Sequence, residues 1–123
     1  MSKILVVEDN FELADLIKDL LVSKGYTVVA CHDGYQGIEF THREHPDLIV
    51  LDLMLPAGGG FYILEKIKLS TKTKSIPVLV LTASKDFAHR KRAMDFGVNA
   101  FMEKPYDPYQ LVMPVKTLLK DQG

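Results

Sequence analysis

Cysteine is nearly absent from this chain of 123 residues, with Cys31 the only one. A single thiol closes no internal disulfide, which points to a reducing compartment. Charge of one sign is not in excess either: 15 lysines and arginines face 16 acidic residues, a formal net charge of −1. That balance excludes a global attraction to nucleic acid or to an anionic membrane. No apolar run approaches the ~18 residues of a membrane span. The opening "MSKILVVEDN" is not built as a signal peptide, because its apolar run ends in acid after Val7. Repeats, low-complexity stretches and linkers are also lacking. The expectation is one soluble, cytoplasmic domain over residues 1–123, long enough to bury a core.

What is present has a regular rhythm. Short Leu-rich or β-branched runs stand at Ile4–Val7, Thr27–Ala30, Leu48–Leu51, Val78–Leu81 and around Asn99–Met102. Continuous apolar runs of this length fit strands covered on both faces. Between them lie segments of helical spacing. Leu13, Leu16, Ile17, Leu20 and Leu21 form an apolar stripe, and Gly25 sits where that helix should stop. Asp33 can cap a second helix that must end near His45, because Pro46 follows. A third helix should carry Phe61, Leu64, Ile67 and Lys68, and a fourth should run from about Lys85 to Phe96. Asp107-Pro108-Tyr109-Gln110 has the cap, the proline and the returning amide of a fifth helix start. Alternating strands and helices imply an α/β fold, a parallel sheet with helices on both faces.

In such sheets the site lies beyond the carboxyl ends of the strands. That rule gathers Glu8 and Asp9 after the first strand, Asp52 after the third, Thr82 after the fourth and Lys104 after the fifth. Three carboxylates against one lysine leave two negative charges, and crowded carboxylates call for a cation. Mg²⁺ fits, since it favours oxygen ligands and keeps waters that a phosphate can displace. No Cys/His cluster speaks for zinc. Asp52, in "DLIVLDLMLP", therefore reads as a nucleophile toward phosphorus, with metal and lysine neutralising the transferred group. The bland alternative is a structural Asp52–Lys104 ion pair, which leaves Glu8, Asp9 and Thr82 unexplained.

This ordered set resembles the response-regulator receiver domain of two-component signalling, of the chemotaxis-regulator type, over essentially the whole chain. The acidic pair matches Glu8-Asp9 in "VVEDN", the phosphoacceptor matches Asp52 in "LIVLDLMLP", and the hydroxyl residue matches Thr82 in "VLTAS". The lysine-proline matches Lys104-Pro105 in "FMEKPY", and the switch aromatic matches Phe101. The resemblance implies a flavodoxin-like, doubly wound (βα)5 fold of strand order 2-1-3-4-5. It implies phosphoryl transfer to Asp52 from a sensor histidine kinase or histidine phosphotransfer protein. Asp9, Asp52 and the backbone carbonyl of Met54 are then Mg²⁺ ligands, with Glu8 reaching the ion through water. Thr82 and Phe101 would switch the face of the fourth helix, fifth strand and fifth helix toward a downstream protein partner. No direct nucleic-acid or membrane binding is expected of this domain, nor enzymatic turnover. A haloacid-dehalogenase-type hydrolase needs an acid two residues after its nucleophile, where this chain has Met54. A flavodoxin-like flavin binder needs a phosphate loop where "EDN" would repel phosphate.

Several positions depart from the family pattern. Gly58-Gly59-Gly60 replaces the usual run after the loop proline, so the third helix loses an acidic cap and the loop should be mobile. Without a following Gly-Lys-Ser/Thr, these glycines are a weak phosphate cradle. Met54 and Ser84, at positions that orient the hydrolytic water in the family, predict a long-lived phosphoaspartate. His42 and His45 could share a helical face but lack a third ligand, and His89–Arg92, "HRKR", is either a docking patch or a solvated face. Pro114 interrupts the stripe of Val112, Val115, Leu118 and Leu119. It predicts a kink or break at 110–114 that tilts Tyr106 and Tyr109 and disfavours a symmetric dimer through that face.

Overall fold

The computed structural model describes residues 2–83, 85–104 and 107–120, so Ser84, Pro105 and Tyr106 lie outside the described residues. Five parallel strands are ordered β2-β1-β3-β4-β5: β1 Lys3–Val7, β2 Thr27–Cys31, β3 Leu48–Asp52, β4 Val78–Thr82 and β5 Ala100–Glu103. Five helices connect and flank them: α1 Phe11–Ser23, α2 Gly34–Glu44, α3 Gly59–Leu69, α4 Phe87–Asp95 and α5 Val112–Leu118. The expected α/β fold and strand order are thus present.

Alternation along each strand divides the core into two layers. Leu5, Val7, Ile49, Leu51, Val78 and Val80 face the layer that α3 fills with Phe61, Ile63, Leu64 and Ile67. Ile4, Val6, Leu48, Val50, Leu79 and Leu81 face the layer holding Ile17, Leu21, Leu111 and Val115. The central β3 and β4 are buried along their whole length, whereas the edge strands β2 and β5 are not. This is why their apolar runs are continuous and not alternating.

The helix ends follow local chemistry. Asn10 Oδ1 accepts from Leu13 N, Asp33 Oδ1 from Gln36 N and Asp86 Oδ1 from Ala88 N, fixing the starts of α1, α2 and α4. The Asp86 cap starts α4 two residues later than its expected beginning at Lys85. Gly25 leaves α1 at φ +96°, a conformation open to glycine. His45, in the left-handed region at φ 48°, ends α2 before Pro46. The stripe of α1 needs one correction: Leu16 is half exposed, while Ala14 is buried with Ile17, Leu20 and Leu21. Leu16 falls at the flank of a stripe centred between Ile17 and Leu21.

At the fifth helix, the Asp107/Gln110 capping box is formed, and it opens a 3-10 turn over Pro108–Leu111. The α-helix begins only at Val112. Pro114 thereby falls in the first turn of the α segment, where a missing N–H costs little. Within the 110–114 stretch where a kink or break is expected, the structure has this change of helix type, with Leu111 and Val112 both in right-handed helical backbone. The tilt expected of Tyr106 lies outside the described residues.

Candidate functional site

The site grows from strand ends. After β1, Glu8 N still pairs with the Cys31 carbonyl at 3.0 Å, which carries the Glu8 side chain inward to complete burial. Asp9 turns out to solvent, and Asn10 N donates to Glu8 Oε2 at 3.2 Å before α1 begins. After β3, Asp52 is almost fully buried, and its Oδ1 accepts from Met54 N at 3.0 Å. Leu53 N meanwhile reaches the Leu81 carbonyl at 2.8 Å, so the chain leaves the sheet in a fixed direction. Glu8, Asp9 and Asp52 each bring a carboxylate oxygen within 4.8 Å of the others.

Lys104 closes the cluster. Its backbone N–H bonds to the Thr82 carbonyl at 2.8 Å, just past the last register pair of β4 and β5. Its ammonium donates to Glu8 Oε1 at 2.5 Å and to Asp52 Oδ2 at 3.3 Å. The simple Asp52–Lys104 pair is therefore only the longer half of a three-way arrangement. Burial pushes the Glu8 carboxyl up to about 7; the Lys104 hydrogen bond opposes the shift and Asp52 adds to it. For Lys104, burial works against the charge, but the Glu8 hydrogen bond and the Asp52 charge outweigh it and hold the ammonium above its ordinary range. One lysine thus does not satisfy the buried acids, and an all-oxygen donor set with an exposed Asp9 fits a hard divalent cation with open water positions.

Thr82 is buried at the end of β4, and Phe101 lies partly buried in β5, paired in register with Val80. Arg90 of α4 stacks its guanidinium over the Phe101 ring at 5.3 Å and bonds Glu103 at 2.8 Å. The "HRKR" run is mostly consumed in this way: Arg92 covers Phe61 at 4.1 Å, His89 meets the same ring at 5.9 Å and Lys91 pairs with Asp95. It is not a free basic patch. His42 and His45 join no ligand cluster among the described residues.

Two features escaped sequence reasoning. Gly60 is an obligatory close approach, since a Cβ there would stand 1.9 Å from the Leu53 carbonyl oxygen. The triple glycine, read from sequence as a lost cap, holds α3 against the strand end that bears Asp52. His32 was also missed: its Nδ1 lies 3.0 Å from the Glu8 carbonyl, and its ring stacks on exposed Phe11 at 3.8 Å. Its position one residue after β2, at the same sheet edge, was the available signal.

Comparison with known proteins shows the family and the fold. The response regulator receiver domain family matches residues 4–116. Regulatory protein VanRc of Enterococcus gallinarum is 38% identical over 119 residues, 97% of this chain and 50% of that protein. The receiver domain of a signal transduction histidine kinase from Syntrophus aciditrophicus has a TM-score of 0.88 at 30% identity, covering 99% of this chain and 92% of that one. The receiver domain of sensor histidine kinase PA1611 from Pseudomonas aeruginosa PAO1, with magnesium in its active-site cleft, has a TM-score of 0.86 at 28% identity, over 98% of each chain. The chain belongs to the response regulator receiver domain family. It is a receiver domain of two-component signalling, a class phosphorylated on aspartate and acting in signal transmission. It spans about half the length of VanRc. No helix among the described residues is long and apolar enough to cross a membrane.

Proposed function

We propose that Asp52 is the phosphoacceptor of a phosphorelay, charged by a sensor histidine kinase or a histidine phosphotransfer protein. One observation carries the reading: the Asp52 carboxylate is buried at the sheet edge with Lys104, Glu8 and Asp9 gathered around it. An oxygen of Asp52 attacks phosphorus as the bond to the donor's histidine nitrogen breaks, so the phosphoryl group moves whole from nitrogen to oxygen. Asp9, Asp52 and the Met54 carbonyl would hold Mg²⁺, with Glu8 acting through water. Bound there, the ion supplies neutralisation of the phosphoryl oxygens. Lys104 leaves its carboxylate partners to contact the transferred group, a charge-assisted bond.

Thr82 then turns its hydroxyl toward a phosphoryl oxygen, and Phe101 follows into the space behind it. Arg90, bridging Phe101 and Glu103, couples that rotation to α4. The α4-β5-α5 face is thereby biased between two states and read by a downstream protein, not by nucleic acid. The domain acts in the cytoplasm.

The test is chemical. With Mg²⁺ and acetyl phosphate, mass spectrometry should find one phosphoryl group, on Asp52, and beryllofluoride should occupy the same place. Labelling that persists in Asp52→Asn overturns the assignment.

A further inference from the structure

A second concave surface lies outside the acidic site. The starts of α2 and α3 pack backbone to backbone there, and a Cβ on Gly34 would meet Gly59 Cα at 3.4 Å. Beside them opens a cleft of about 540 Å³ with Tyr35 and Tyr62 as walls, Ala57 and Gly59 as floor and Asp33 on its lining. The tyrosine rings meet edge to face at 6.3 Å, yet both are in water, Tyr35 82% and Tyr62 42% exposed. Neither belongs to the core layers, so packing does not account for them. Ala57 holds φ 58°, a left-handed conformation that costs an alanine energy and is retained where the surroundings impose it.

The chemistry of this lining is that of a cation receptor. Asp33 is the charged residue among the described lining residues, and tyrosine faces are negative. Lys66 already places its ammonium 5.6 Å from the Tyr62 ring centroid, so Tyr35, the more exposed of the two rings, is the one that offers its face to a partner's cation. A planar guanidinium can stack on one ring while its N–H groups point at a carboxylate, which an ammonium cannot do as well. We propose that the cleft between α2 and α3 docks a basic segment of a partner protein, with an arginine stacked on the exposed Tyr35 ring and directed at Asp33. The occupant would rest on the β3–α3 connection, the stretch that leaves the sheet at Asp52 and is clamped by Gly60.

Binding is measured on the unphosphorylated 123-residue chain, so the outcome is independent of what Asp52 does. The probe is a capped Gly-Arg-Gly-Arg-Gly peptide, followed by amide chemical shifts, with a citrulline analogue of equal shape and no charge. Saturable shifts centred on Gly34, Ala57 and Gly59 are expected, weakened at least about fivefold by citrulline. Tyr35→Ala with Tyr62→Ala should abolish them. Asp33→Asn still caps α2 and should keep the unfolding midpoint, while weakening the peptide about fivefold. Equal binding of the citrulline analogue, or stronger binding of a proline-rich peptide at these amides, overturns the proposal in favour of an uncharged occupant. Peptide-free shifts that grow with protein concentration and accompany a dimer overturn it in favour of a second copy. Shifts confined to other surfaces overturn it outright.

Discussion

Two lysines lie partly buried at opposite ends of the sheet, and their surroundings differ in kind. Lys104, at the carboxyl edge, faces two buried carboxylates and is held above its ordinary range against the cost of burial. Lys68, toward the amino edge, reaches only the carbonyls of Lys74 and Ile76, at 3.3 and 3.5 Å, and burial lowers it. Beside it, Thr73 Oγ1 bonds the Ile67 carbonyl at 2.7 Å, so the 70–76 loop is latched by neutral acceptors. Carbonyl dipoles hold a lysine in place; carboxylates in excess also leave charge for an incoming group to settle. The same residue type is fastened by neutral carbonyls at one end and held between buried carboxylates at the other.

The largest effects should fall at the carboxyl edge. Asp52→Asn is expected to remove all acetyl-phosphate labelling, as measured by intact mass. Lys104→Met should leave Mg²⁺ binding largely intact, followed by tyrosine fluorescence, but remove the phosphorylation-dependent shift of Thr82 and Phe101 amide signals. Lys68→Met should leave that shift unchanged, and if it does not, the two ends are not functionally distinct. Gly60→Ala should cost about 3 kcal/mol or more in urea unfolding, because the clash is with backbone and not with a yielding side chain.

Next in size is lifetime. Met54 is exposed beside Asp52, and its thioether is a poor partner for an attacking water. Met54→Asn should therefore hasten loss of the phosphoryl group severalfold; an unchanged half-life removes this explanation. Ser84, the other residue of that pair, lies outside the described residues.

Alkaline titration sharpens the contrast through its sign. Lys104, raised when folded, contributes stability that is complete below the ordinary 10.5 and fades as pH rises through its folded value. Lys68, lowered when folded, works the other way: between that lowered value and 10.5 the unfolded chain holds the proton more tightly, so stability climbs with pH. Denaturant midpoints from pH 9 to 11 should thus fall less steeply for Lys104→Met and more steeply for Lys68→Met than for the parent. The smallest change expected is Pro114→Ala, within about 0.5 kcal/mol, since Pro114 already sits in a first helical turn. The α5 face formed with Pro114 is expected to keep the phosphorylated domain monomeric in light scattering, and a dimer through that face would refute this.

Much of this protein is determined by its sequence alone. Periodicity placed every strand within a residue or two, because a strand covered on both faces must be apolar at every position, as in Leu48–Leu51 and Val78–Leu81. Caps were legible because Asp33, Asp107 and Gln110 act on amides two or three residues away. The gathering of Glu8, Asp9, Asp52, Thr82 and Lys104 at one edge followed from strand parity and parallel order. Tertiary structure alone decided the contacts that no local rule reaches. Lys104 and Glu8 are 96 residues apart, so their bond depends on how β1 and β5 end in space. Gly60 is required by the Leu53 carbonyl and not by its own turn. Tyr35 and Tyr62 meet only because α2 and α3 cross at their glycines. Short-range hydrogen bonding and burial are written into neighbouring residues; approach across the sheet is fixed only when every layer has packed.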